Sequence, residues 1–249
     1  IANDAWMEGA DNHDEGEGAW DARRATALQV WYEWMPVREP VAANDWNNYR
    51  NFKFGDLVSL NVLETRLSGR SEQLSLTNYF DETGAFDTAA FETDMADATR
   101  SMLGADQNLW LQTEMADSSA TWEVLGSSVV MGKLWGPAPV LMGQVSFEDY
   151  QTMAVKAAVA PETLTAEEQA ILAAPDMPAN LDSWDGYSVN REQIYGMASE
   201  FGKNLVVLSG DMHTSLANNL TNMAGDPVGV EFTGSSVTSP GEVQEVLGD

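Results

Sequence analysis

The sequence predicts an α/β fold with layered sheets. Three observations support this. Residues 205–208 are a short, continuous apolar run, as expected of a strand buried on both faces. Segments with helical spacing and recognisable caps alternate with runs of strand character. The chain has 249 residues, of which 44% are hydrophobic and 9% aromatic, enough for a substantial core in one large domain or two small ones.

Taken in order, residues 10–20 form an acidic, glycine-rich loop. Over residues 22–34, Ala25, Leu28, Trp31 and Tyr32 recur at helical spacing, Met35 continues the pattern, and Pro36 stops it. Residues 54–63 read as a mostly buried strand carrying Leu57, Val58, Leu60, Val62 and Leu63. Residues 85–103 read as a polar helix, and Asp106 is expected to cap another that runs to Ser119. Short strands follow at 122–125 and 129–131. Residues 140–182 behave as an insertion, with a capping-box pattern at Thr165 and Glu168 and a proline-rich end at Pro175 and Pro178. Asn190 is expected to cap a helix over 191–201 that Gly202 closes, and 228–232 is a further strand. There is no internal repeat.

Composition narrows the function. With 39 acidic against 12 basic side chains, the net charge is −27, which argues against a nucleic-acid surface or an anionic membrane surface. No apolar run is long enough for a membrane span. Carboxylates spread along the chain, with only Lys53, Lys133, Lys156 and Lys203 as lysines, suit a saline habitat. The absence of cysteine excludes disulfide and thiolate chemistry within these residues. The chain opens on Ile1 without a basic and apolar leader, so a removed leader or a partial chain is expected. No oligomeric state is read from the sequence.

Histidine is scarce, and His213 lies in Ser209-Gly210-Asp211-Met212-His213, directly after the apolar run. Ligand sites in α/β proteins gather beyond the carboxyl ends of strands. An aspartate and a histidine two apart can present a hard oxygen and an imidazole nitrogen to iron, manganese, zinc or calcium. The alternative is a satisfied turn, with Asp211 bonded to backbone amides. His13 lies in an acidic loop, either as a ligand or simply solvated there. Asn3 and Asp4 are oxygen ligands or a helix cap before Trp6. Arg66 and Arg70 follow the strand ending at Leu63, as a grip on phosphate or as ion pairs on the surface. Trp184-Asp185-Gly186-Tyr187 lines a pocket or packs over the insertion. No G-x-S-x-G elbow, P-loop or G-x-G-x-x-G fingerprint in context is present.

Several segments together resemble the PhoD-type alkaline phosphatase/phosphodiesterase family of the calcineurin-like metallophosphoesterases. They are Ile1-Ala2-Asn3-Asp4-Ala5-Trp6, Tyr32-Glu33-Trp34-Met35-Pro36-Val37-Arg38, Phe54-Gly55-Asp56-Leu57-Val58 with Leu63-Glu64-Thr65-Arg66, and Leu109-Trp110-Leu111. Further on come Trp184-Asp185-Gly186-Tyr187, the S-G-D-M-H segment ending at His213, and Ser236-Val237-Thr238-Ser239-Pro240-Gly241. The resemblance implies a two-sheet sandwich flanked by helices, with a metal cluster at one edge. It implies calcium and iron as cofactors, other divalent metals sharing the same donor chemistry, and phosphate monoesters and diesters as substrates. It implies export to the periplasm or the exterior. By position it makes Asp211, His213 and Asn3 metal ligands; in the mechanism expected from this, His213 is catalytic and Arg66, read from its place at a strand end, is a phosphate contact. By the resemblance, the family's W-D-D-H-E segment and its cysteine, aspartate and tyrosine iron ligands are expected upstream of Ile1. Residues 1–249 are therefore expected to be part of a catalytic domain whose isolated activity is doubtful. The rival expectations are a phospholipase D-like phosphodiesterase on the same scaffold, a non-catalytic calcium-binding acidic surface protein, and an inactive truncated product.

Overall fold

The computed structural model describes residues 4–38, 48–82 and 85–239. A six-stranded mixed sheet carries the fold. Its strands are β1 (Arg50–Phe54), β2 (Val58–Val62), β3 (Trp122–Gly126), β6 (Leu205–Ser209), β7 (Leu216–Thr221) and β8 (Pro227–Thr233), in the order β1-β2-β3-β6-β8-β7. β2, β3, β6 and β8 run parallel, while β1 and β7 close the two sides antiparallel to their neighbours. A separate antiparallel pair joins β4 (Trp135–Pro137) to β5 (Asp176–Pro178). The helices are α1 (Trp20–Trp34), α2 (Thr88–Met95), α3 (Gly104–Asp117), α4 (Ala138–Leu141), α5 (Phe147–Val159), α6 (Ala166–Leu172) and α7 (Ser188–Glu200). The mixed α/β class expected from the sequence is therefore present. No helix among the described residues is long and apolar enough to cross a membrane.

The two faces of the sheet differ because side chains alternate along each strand. One face holds Leu125, Leu205 and Val207, packed with Leu111 and Met115 of α3 and Ile194, Tyr195 and Ala198 of α7 in the main core. The same face buries Ser59, Asn61, Glu123 and Glu231. The opposite face carries Phe52, Leu60, Val124, Val206 and Val230 in register, and here Phe52, Leu208 and Phe232 are exposed. Residues 205–208 are thus buried on one face only, in contrast to the two-faced burial expected from their apolar run. The expected strand over 54–63 is a hairpin. Gly55, at φ +61°, opens the turn, leaving Leu57 exposed, and the inward residues of β2 are the polar Ser59 and Asn61.

Other sequence expectations shift for identifiable reasons. The helix expected over 85–103 is confined to α2, whose cap is Asp87, its side chain accepting from the Ala90 amide. After α2, Asp97 turns the chain by accepting from the amide and hydroxyl of Thr99. Asp106 lies within the first turn of α3 and does not cap it; Ser101 Oγ accepts from the Leu103 and Gly104 amides instead. Asn190 lies inside α7, where its buried Oδ1 accepts from the Met102 and Leu103 amides, and so serves a neighbouring loop. Residues 129–131 are buried but not a strand. The Glu231 carboxylate holds this segment by accepting from the amides of Met131 at 2.7 Å and Gly132 at 2.8 Å, and so replaces ladder pairing. The capping box at Thr165 and Glu168 forms in full at α6. Residues 140–182 hold α5, α6 and β5, and β5 returns the chain to β4.

Glu231 also accepts from Ser209 Oγ at 2.8 Å and Asn218 Nδ2 at 3.1 Å, so four donors meet on one fully buried carboxylate. Leaving them unpaired costs desolvation with no return. In denaturant titrations of the complete protein, Glu231→Leu should lose about 3 kcal/mol or more. Glu168→Ala, in the capping box of α6, should lose clearly less. Equal losses would remove the clamp from this account.

Candidate active site

Three loops at the carboxyl ends of parallel strands, 63–70 after β2, 127–132 after β3 and 210–215 after β6, adjoin one another, the position where α/β sheets gather ligands. Thr65 and Ser128 join the first two by a hydroxyl–hydroxyl bond. A cleft of about 870 Å³ opens here, lined by Asp4, Trp31, Phe52, Arg66, Ser128 and Asp211 among others.

The backbone marks the same place. Asp4 (φ 43°), Asp211 (φ 77°) and His213 (φ 53°) are the non-glycine residues in the left-handed region among the described residues. Such conformations are costly for residues with a Cβ and cluster where function requires them. The intervening Met212 is buried, whereas Asp211 and His213 are exposed.

Arg66 lies amid carboxylates. Its Nη1 and Nη2 donate to the two oxygens of Asp182 at 2.5 and 2.6 Å, while Asp4 and Asp211 lie 4.0 and 3.9 Å from the same guanidinium. Burial disfavours its charge, but bonding to Asp182 and the attraction of Asp182, Asp211 and Asp4 outweigh that and hold its pKa above the ordinary value. Arg70, fully buried, shares Asp182 at 2.5 Å, donates to the Asp182 carbonyl at 2.8 Å, and stacks its guanidinium 4.9 Å over Tyr187. The carboxyl of Asp211 is raised by partial burial against the pull of Arg66, with Asp182 and Asp4 adding to the rise. That of Asp11 is raised by desolvation, then by Asp4 and Asp182. Crowded carboxyls with raised pKa values favour added positive charge.

The structure brings together Asp211, Arg66 and Asp4, and places His213 two residues from Asp211 on the same turn. Asn3 lies outside the described residues. Among the described residues no group of three or more His, Cys, Asp and Glu is placed to hold a metal ion. Asp211 and His213 offer a hard oxygen and an imidazole nitrogen, donor types that suit a divalent metal. His13 is not at this cleft: it packs on Trp20 at 5.2 Å beside Arg23 and Glu17. Trp184-Asp185-Gly186-Tyr187 is wholly buried, with Asp185 paired to Arg191 at 2.6 Å, so it supports the loops from the core. Sequence reasoning missed Asp182. The available signal was two arginines four residues apart that need an anion, with the aspartate next to the Trp184 motif as a candidate.

A family model described as PhoD-like phosphatase matches residues 1–248. Alkaline phosphatase D of Bacillus subtilis (strain 168) is 31% identical over 227 residues, covering 88% of this chain and 31% of that protein. A solved structure titled "Structure of PhoD" superposes with a TM-score of 0.65 and 27% identity, over 98% of this chain and 41% of that one. The chain therefore spans about a third of the length of the curated relative it matches.

Asp182→Asn should uncouple both arginines and leave Arg70 buried without a counter-charge. A loss of about 3–5 kcal/mol in denaturant titrations of the complete protein is expected. A loss below about 1 kcal/mol, the scale of an exposed pair, would show that this carboxylate does not hold the loop.

Proposed function

Because the chain belongs to the PhoD-like phosphatase family, we propose that the complete protein hydrolyses phosphate monoesters, diesters or both with the help of bound metal ions. The observation that carries this reading is the turn holding Asp211 and His213. Two strained non-glycine residues sit beyond β6, beside the cleft that Asp211 and Arg66 line.

In this proposal Asp211, His213 and Asn3 hold metal, and calcium and iron are the ions the resemblance implies. Bound ions supply Lewis-acid charge to the phosphate and lower the pKa of a coordinated water. The chain's own part is positional. Asp182 fixes the guanidinium of Arg66 while leaving further N–H donors for a phosphate oxygen. Asp211 is set by its backbone rather than by a flexible side chain alone. The carboxylates of Asp4, Asp182 and Asp211 gathered around Arg66 give the site a negative potential that cations relieve before an anionic ester approaches.

Three broader features belong to the proposal. A second sheet covers the face that carries Phe52, Leu208 and Phe232, completing the two-sheet sandwich; the exposure of those residues and the greater length of the relatives support it. Residues 140–182 form an insertion within a single catalytic domain of which 1–249 is part. The complete protein is exported into a saline setting, in keeping with a net charge of −27.

The test is turnover of a chromogenic phosphate monoester and its diester by the complete protein, in salt, with calcium and iron, with and without chelator. Chelator should abolish turnover, and His213→Ala should lower kcat by about 100-fold or more along with bound metal. The monoester-to-diester ratio separates a phosphatase from a phospholipase D-like diesterase. A folded, metal-loaded protein with no turnover would replace this reading with a calcium-binding one.

A further inference from the structure

We propose that the Ser128 hydroxyl donates to a non-bridging oxygen of the substrate phosphate, and that Thr65 is the positioning residue that orients it. The inference rests on the phosphoesterase reading and adds a neutral donor to that site.

The loop after β3 is built around one exposed side chain. Ser127, Val129, Val130, Met131 and Gly132 are buried, and Ser128 between them is exposed and lines the cleft. The backbone is fastened on both sides of it. The Ser127 amide donates to the Leu208 carbonyl at 2.8 Å, while Ser127 Oγ donates to the Val129 carbonyl at 2.7 Å and accepts from Trp184 Nε1 at 3.1 Å. Further along, Glu231 holds the Met131 and Gly132 amides. A small polar side chain is thus presented to the cleft on a backbone that the core holds still, the condition for a precisely placed binding group.

Hydrogen-bond bookkeeping gives the direction of the Ser128 proton. Thr65 is 1% exposed, and its hydroxyl meets Ser128 Oγ. A buried O–H that fails to reach an acceptor costs desolvation, so Thr65 donates and Ser128 accepts. The Ser128 O–H then gives its own proton on the side where the residue is exposed, into the cleft. Thr65 is fixed in turn, because its carbonyl accepts from the buried Arg70 at 3.2 Å. The residue after it is Arg66, so one loop sets two donors, a hydroxyl and a guanidinium, on the cleft that Asp211 also lines.

Placement and charge point the same way. Thr65 and Ser128 lie beyond the carboxyl ends of β2 and β3, not on the sheet face that carries Phe52 and Phe232. Asp4, Glu64 and Asp211 line the same cleft, and a cationic side chain there is drawn to carboxylate, as Arg66 is to Asp182. A neutral hydroxyl feels that pull less, and it hydrogen-bonds an ester oxygen without adding charge to the site.

The experiment uses the complete, metal-loaded protein and two readouts: kcat/KM for whichever chromogenic phosphate ester it turns over faster, and the affinity for inorganic phosphate by calorimetry. Ser128→Ala, at an exposed position that folding tolerates, should lower both by about tenfold or more with metal content unchanged. Ser128→Thr keeps the hydroxyl and should restore most of each. Thr65→Val removes the orienting partner and should give a smaller loss of each. Unchanged kcat/KM and phosphate affinity in Ser128→Ala, loss of metal in that variant, or a Ser128→Thr variant no better than it would each overturn the inference and leave the phosphoesterase reading standing. A Thr65→Val variant indistinguishable from the unmodified protein would overturn the role given to Thr65. Neither turnover nor phosphate binding by the unmodified protein would overturn that reading and this inference together.

Discussion

Two guanidinium groups four residues apart need one anion placed between them, and Asp182 meets that need for Arg66 and Arg70. The carboxylate is not free to follow either partner. The Asp182 amide donates to Asn180 Oδ1 at 2.8 Å, its carbonyl accepts from Arg70, and the next residues bury Trp184 and Tyr187 in the core. Tyr187 in turn lies under Arg70 and donates to the Ser71 carbonyl at 2.7 Å. One contact therefore ties the end of the 140–182 segment, the loop after β2 and the main core into a single frame, and Asp211 and Asp4 meet that frame at the guanidinium of Arg66.

The same device recurs with different partners, and it recasts the acidity of the chain. Glu64 accepts from the Leu67 and Ser68 amides at 2.7 Å and closes the loop that carries Arg66. Asp185 accepts from the Leu134 amide at 2.8 Å while it pairs with Arg191. Glu231 holds the neighbouring loop in the same way. Carboxylates here are loop fasteners as much as surface charge. A buried carboxylate that accepts several amides meets its desolvation cost with charge-assisted bonds, so long loops can hold fixed shapes around a cleft.

Local signals in the sequence hold where one residue decides the structure. The helix ending before Pro36, the capping box of α6 and Gly202 beyond α7 all appear where the pattern places them. Local signals mislead where a distant group takes over a local role. Asn190 resembled a cap because its side chain does bind amides, but those amides belong to residues 102 and 103. The apolar pattern of β2 pointed the wrong way because its inward positions are Ser59 and Asn61, satisfied by Asn51 and Glu123 across the sheet. Asp211 was legible as a residue of the cleft from its place after an apolar strand, and His213 follows on the same turn. Asp182 was not, because a shared counter-ion 112 residues from Arg70 leaves no trace in local spacing.

The left-handed residues at the cleft bear on how this chain has been selected. A turn free to settle for stability alone would place glycine at positions 4, 211 and 213, where a Cβ is penalised by about 1 kcal/mol or more. The chain uses glycine for such backbone elsewhere, at Gly55 and Gly202 among others, but keeps side chains here. Variants with glycine at these three sites would be sturdier and poorer in donors. Screens that reward thermal tolerance alone would therefore drift towards glycine and strip this edge of the sheet of its side chains.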